Sequence, residues 1–279
     1  MNRMEARPYH GLIKPTLLAL GLLLILIFAS SCLAGTVAYE KKKVAGVWVN
    51  LVTVDLNSPD IRITPAVAKG GVGTSESFNS MMRRMRPAAA INGTFFCTRS
   101  LEPTGDIVID GHLLASGDIG TAVVIDDGNN VRFLPARRSD VYRWYDHQYV
   151  MAAGPSLLMR GETIVLPKDE GFCSSVHVSR QARTAIGLTK HNKLLLVVTR
   201  QRIYLRRLAR VMKSLGCVDA AVLDGGSSSG LYWNGKMPVQ PGRSLTNCLV
   251  VYDSPTNYEA HRTCFYPLSR MTKARGTDS

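Results

Sequence analysis

The chain has 279 residues, 46% of them hydrophobic, which is enough to bury a full core and too apolar for a wholly disordered chain. Its 34 Lys and Arg against 21 Asp and Glu give a net charge of +13. A single long apolar run excludes a polytopic membrane protein, and the lack of a short repeat excludes collagen-like fibres and solenoids.

That run comes first. Leu17 to Leu33 is apolar apart from Gly21, Ser30 and Ser31, and Arg3, Arg7 and Lys14 precede it. A basic stretch, an apolar stretch and then small residues is the layout of a secretory signal. Ala29-Ser30-Ser31-Cys32 has the form of a bacterial lipobox, in which Cys32 would be lipidated after cleavage. The other reading is an uncleaved membrane anchor, since 17 residues lie at the short end of a bilayer span. Both readings put the protein outside the cytoplasm, in the periplasm or cell envelope. Losing residues 1–31 removes three basic residues and Glu5, so the net charge falls only to +11. Export makes nucleic acid an unexpected partner; anionic lipid or a phosphate-bearing glycan fits the charge better.

Beyond residue 40 the pattern is mostly strands. Val44 to Leu56 is β-branched and apolar, and Ile61 to Thr64 reads as its partner across the Asn57-Ser58-Pro59 turn. Residues 69–75 are a Gly-rich loop. A helix is expected from about Ser75–Phe78 to Met85, before Pro87. Ala88 to Ile91 is a short buried strand ending in Asn92-Gly93. Asp110-Gly111 and Asp127 to Asn130 sit between apolar runs as hairpin turns. Met151 to Arg160 and Glu162 to Leu166 flank Gly161 as another pair, and Thr184 to Leu188 with Leu194 to Thr199 form a hairpin around His191-Asn192. Ile203 to Leu215 is the clearest helix, with Tyr204, Leu208, Val211 and Leu215 on one face and Arg206, Arg210 and Lys213 on the other. Ala220 to Leu223 and Leu249 to Tyr252 are the last strands.

The fold class expected is therefore α/β mixed (α+β): one domain over 45–253, with a mixed, mostly antiparallel sheet core and a few flanking helices. Residues 1–40 are read as leader or anchor and 254–279 as a polar tail. No Cys-x-x-Cys occurs. In an oxidising compartment disulfides are expected, and Cys217 with Cys248 is the pair read here, because both flank strands placed side by side.

Three stretches carry chemistry. In Leu223-Asp224-Gly225-Gly226-Ser227-Ser228-Ser229-Gly230 a carboxylate ends a buried strand. The glycines after it allow a tight turn whose amides can face an anion, and three hydroxyls follow. Ile91-Asn92-Gly93-Thr94-Phe95-Phe96 repeats the form with an amide and a hydroxyl. Gln181-Ala182-Arg183-Thr184 places a guanidinium, suited to phosphate, at a strand end. Taken singly, each also reads as ordinary turn or surface chemistry.

Together and in this order they resemble the phosphodiester glycosidase family. The matching pieces are Ala90 to Phe96, Gly105 to Gly111, Gly154 to Leu158, Arg183 to Gly187 and Leu223 to Ser228, within a resemblance spanning about 45–252. Bacterial members look like exported envelope proteins linked to exopolysaccharide. The chain departs from relatives in three places: Arg206-Arg207-Leu208-Ala209 where an acidic residue is frequent, Val222 where Asn is frequent, and Thr199-Arg200-Gln201 where Asp-Gly-Arg is frequent.

The resemblance implies hydrolysis of a sugar-1-phosphodiester, with a phosphate-linked glycan as partner. Asp224, Arg183 and Asn92 would be catalytic, and Thr94, Thr184, Gly225, Gly226, Ser227 and Ser228 would bind sugar or phosphate. The histidines lack metal-ligand spacing, with His177 the one nearest the proposed site in sequence. Ca²⁺ or Mg²⁺ held by the oxygens of Asp224 and Asn92 is the cofactor left open. Two other readings stand beside the enzyme. One is an envelope protein that binds anionic polysaccharide without cleaving it. The other is a membrane-surface module contacting anionic lipid through Arg270, Lys273 and Arg275.

Overall fold

A computed structural model of the protein describes residues 35–117, 119–136, 144, 147–173 and 179–267. The apolar run with Cys32, His177, and the tail residues Arg270, Lys273 and Arg275 lie outside the described residues. No helix among the described residues is long and apolar enough to cross a membrane.

Of two compact units, Met1–Gly35 and Thr36–Ser279, the second is α+β, and its described strands form three antiparallel sheets. The large sheet has the order β1 (Val37–Val44), β2 (Val47–Asp55), β13 (Lys193–Ile203), β12 (Gln181–Thr189), β14 (Cys217–Leu223), β10 (Ser156–Met159) and β11 (Glu162–Thr163). A second sheet runs β16 (Lys236–Val239), β15 (Leu231–Trp233), β4 (Ala89–Asn92), β17 (Asn247–Tyr252) and β3 (Arg62–Val67). The third runs β6 (His112–Ala115), β5 (Ile107–Ile109), β9 (Tyr149–Ala153), β7 (Thr121–Ile125) and β8 (Val131–Pro135).

Side-chain alternation builds the layers. Along β13, Leu194, Leu196 and Val198 enter a core shared by all three sheets, while Leu195 and Val197 point the other way. That outer face is covered by helix α2 (Leu205–Ser214) through Leu205, Leu208, Ala209, Val211 and Met212, each burial contributing about 1.5–3 kcal/mol for the larger side chains. Tyr204, which the sequence pattern places on the apolar face, is instead the N-cap of α2 and half exposed. Helix α1 (Phe78–Met85) buries Phe78, Met81, Met82 and Met85 at helical spacing. The Ser77 hydroxyl caps it by accepting the Ser80 N–H, and Arg86 stops it in the left-handed region just before Pro87.

Several sequence expectations need correction. Residues 37–40, assigned to the leader, are half of β1, which pairs with β2 across Ala45-Gly46. Lys41 to Lys43 are strand residues on a sheet edge. Ile61 to Thr64 does not pair with the preceding strand: β3 pairs with β17 in the second sheet. Met151 to Arg160 is two strands in two sheets, broken at Gly154-Pro155. The tail is not wholly polar, because α3 (Pro255–His261) packs Tyr258 on the core and Phe265 follows it inside.

Cys217 and Cys248 are not bonded to each other. Cys217 starts β14 on the α2 side of the large sheet, and Cys248 is enclosed in the second sheet on β17. Burial pushes both thiols up to about 12.

Candidate active site

The site forms where β4 ends, β14 ends and β17 begins, at the seam between the large and second sheets. The Asp224 N–H donates to Gly93 O (3.1 Å), and the Gly93 N–H donates to Asn247 O (3.2 Å), so the turn after β4 ties the two sheets together. Asn247 Oδ1 accepts the Thr94 N–H at 2.7 Å. A β-carbon on Gly93 would lie 1.9 Å from that oxygen, so only glycine fits.

Asn92 organises the loop after β14. Its Nδ2 donates to Asp224 O at 2.7 Å, and its Oδ1 accepts the Gly230 N–H at 2.9 Å, so one buried amide grips both ends of 224–230. Between them Gly226, at φ +61°, begins a 3-10 turn, Gly226–Ser228. Gly225 passes close to β12: a β-carbon there would lie 2.8 Å from Ala182 O. Thr184 Oγ1 shares a hydrogen bond with Ser229 Oγ at 3.1 Å. Ser227 is exposed, whereas Ser228 is buried. The Thr94 hydroxyl is buried near Gly105.

Asp224 is buried and faces a cation that the sequence reading missed. Arg243 Nη2 donates to Asp224 Oδ2 at 2.8 Å, Arg243 Nε donates to Ser228 Oγ at 2.6 Å, and the guanidinium lies 4.5 Å from the Phe96 ring centroid. Burial raises the Asp224 pKa above the ordinary carboxylate value; Ser228, Arg243 and the Gly225 N–H oppose that rise without cancelling it. Arg243 sits in Gln240-Pro241-Gly242-Arg243, a loop anchored by Gly242 N–H donating to Ser227 O (2.8 Å). A lone Arg in a Pro-Gly turn gives a sequence reader no signal.

Arg183 has a different surrounding. It is 1% exposed, its Nε donates to Ile203 O (3.2 Å) and its Nη2 to Ser179 O (2.6 Å). Burial lowers its pKa to about 10, which leaves it charged at neutral pH. Asn92, Thr94, Thr184 and the 224–230 loop therefore converge, and the guanidinium meeting Asp224 is that of Arg243 rather than Arg183.

Among the described residues no three His, Cys, Asp or Glu side chains gather as a metal-ligand group. Asp106, within the Gly105 to Gly111 piece, accepts from Gly117 N–H and Trp144 Nε1 and serves the third sheet.

A buried carboxylate bound to a guanidinium thus lies beside a glycine-serine turn, at a sheet seam of an α+β scaffold. The family model for phosphodiester glycosidase matches residues 85–252, and the chain belongs to that family, whose activity is hydrolytic. No curated protein sequence matches the chain. Among solved structures, a hypothetical protein from Synechocystis is similar with TM-score 0.68 and 17% identity, over 77% of this chain and 62% of that one. The chain thus spans less than two thirds of that protein's length. The catalytic domain of zebrafish N-acetylglucosamine-1-phosphodiester alpha-N-acetylglucosaminidase, auto-inhibited by its pro-peptide, is similar with TM-score 0.63 and 20% identity, over 77% of this chain and 82% of that one. A putative exported protein from Burkholderia pseudomallei gives TM-score 0.50 and 15% identity over 74% of each chain.

Proposed function

We propose that the protein is an exported hydrolase that cleaves a sugar-1-phosphodiester within a phosphate-linked glycan, using Asp224 as its reactive carboxylate. The observation that carries this reading is the Asp224–Arg243–Ser228 cluster, held inside the region that matches the phosphodiester glycosidase family. Water adds its oxygen to the anomeric carbon, and the carbon–oxygen bond to phosphate breaks with its electron pair going to the phosphate. The transition state is oxocarbenium-like and carries positive charge on the sugar. Asp224 stabilises that charge and accepts the proton of the attacking water. Its raised pKa makes it a better base than a solvated aspartate.

The leaving phosphate monoester is already anionic and needs donors more than a strong acid. The remaining N–H groups of Arg243, the first N–H groups of the Gly226–Ser228 turn and the exposed Ser227 hydroxyl supply them. Asn92 acts through the backbone by fixing the loop, and Arg183 braces the start of β12 beneath it. Both are positioning residues in this reading. The apolar leader and the net positive charge suit an envelope location and an anionic glycan.

The test is to incubate the purified soluble domain with a panel of sugar-1-phosphodiesters and to measure free sugar and phosphate monoester. Release of both in equal amounts is expected. Binding without release would favour the non-catalytic glycan-binding reading, which Arg206 and Arg207 in place of an acidic residue favour.

A further inference from the structure

One row of paired residues crosses the large sheet through Lys41, Asn50, Val198, Thr184 and Leu223, and within it the Thr184 hydroxyl donates to Ser229 Oγ of the 224–230 loop (3.1 Å). Strand spacing puts Asn50 about 10 Å from Thr184, two strands away. At that end of the row lies a groove of about 620 Å³, lined by Lys41, Trp48, Asn50, Arg200, Gln201 and Pro238. Trp48 is 49% exposed, an unusual placement for the largest apolar side chain. Its backbone is held firmly: the N–H donates to Gln201 Oε1 at 2.7 Å and the carbonyl accepts from Thr199 Oγ1 at 2.8 Å.

Asn50 is 9% exposed; its Oδ1 accepts from Tyr39 Oη at 2.9 Å, but among the described residues no protein acceptor takes its Nδ2 hydrogens. A buried amide normally finds partners for its donors. Nor does any described carboxylate pair with Lys41 or Arg200, whose Nη2 donates only to Gln240 O (3.3 Å). That carbonyl is three residues before Arg243, so the 238–243 segment connects the groove to the site.

We infer that this groove is a second glycan subsite, which seats a further unit of a phosphodiester-linked sugar chain while the loop site holds the unit being cleaved. A sugar ring lies on the Trp48 indole, its hydroxyls take the Asn50 donors, and its phosphate meets Lys41 and Arg200. The inference rests on the reading of the loop site as a sugar-phosphodiester site, and it narrows the substrate from a small diester to a polymer.

The test compares a hexose-1-phosphate tetramer with a single hexose-1-phosphate methyl diester, on wild type and on Trp48→Ala, with circular dichroism as the folding control. Wild type is expected to prefer the tetramer. Trp48→Ala should lower kcat/KM for the tetramer by roughly tenfold, the scale of one lost aromatic contact, and leave the single diester within about twofold. Trp48→Phe should recover most of the loss. Equal losses on both substrates, or none on either, would overturn the groove. If wild type cleaves neither compound, the hydrolase reading fails separately and calorimetry decides the groove. Tetramer binding that disappears in Trp48→Ala upholds it, and absent or unchanged binding overturns it.

Discussion

Replacing Arg243 by Gln keeps most of the side-chain volume and removes the charge that faces Asp224. Two contacts go: the 2.8 Å ion pair to Asp224 Oδ2 and the 2.6 Å hydrogen bond to Ser228 Oγ. A hydrogen bond to a charged group contributes about 1.5–3 kcal/mol, and the 32% exposure of the Arg243 side chain argues for the lower half of that range. If the arrangement is needed in the transition state, kcat/KM falls roughly ten- to hundredfold. The pH profile adds a second readout. The reaction needs Asp224 ionised, so activity is lost as pH falls through its raised pKa. Arg243 holds that pKa down against burial, so its removal moves the acid limb to higher pH. Both are read from initial rates of sugar release across pH. Activity within about twofold of wild type, with an unmoved acid limb, would refute the assignment of Arg243.

Three further outcomes follow from the same geometry. Asn92→Ala strands the Asp224 carbonyl and the Gly230 N–H inside the protein and should cost about 2–4 kcal/mol in urea unfolding; a loss of activity with unchanged stability would contradict its positioning role. Arg183→Ala removes a buried guanidinium from two backbone carbonyls, so a lowered melting temperature should accompany any lost activity, and Arg183→Lys should not restore the pair of bonds. Extensive dialysis against a chelator should leave hydrolysis intact, because the partner of Asp224 is Arg243; restoration of a lost rate by Ca²⁺ or Mg²⁺ would contradict this.

Features set by neighbours in sequence were legible in it. The Asp110-Gly111 turn has both residues at positive φ, as its hairpin requires, and α1 and α2 follow their apolar spacing to within a few residues. Features set by distant pairing were not. Nothing local distinguishes β3 as a partner of β17 rather than of the strand before it. The Cys217–Cys248 pairing failed for the same reason, because it assumed that β14 and β17 are neighbours. At the site, Asn92 and the 223–230 loop stood out through composition. Arg183 stood out because a guanidinium at a strand end suits phosphate, but two of its N–H groups donate to the backbone carbonyls of Ile203 and Ser179. Arg243 was hidden because only the fold brings residue 243 back to residue 224.

Asp224→Asn gives the most direct measurement. The substitution keeps the shape and removes the charge on which the proposed hydrolysis depends. On a sugar-1-phosphodiester that wild type cleaves, the variant should release no measurable sugar while its circular dichroism and melting curve remain those of a folded protein. Turnover close to wild type by the folded Asp224→Asn protein would contradict the central role given to this carboxylate.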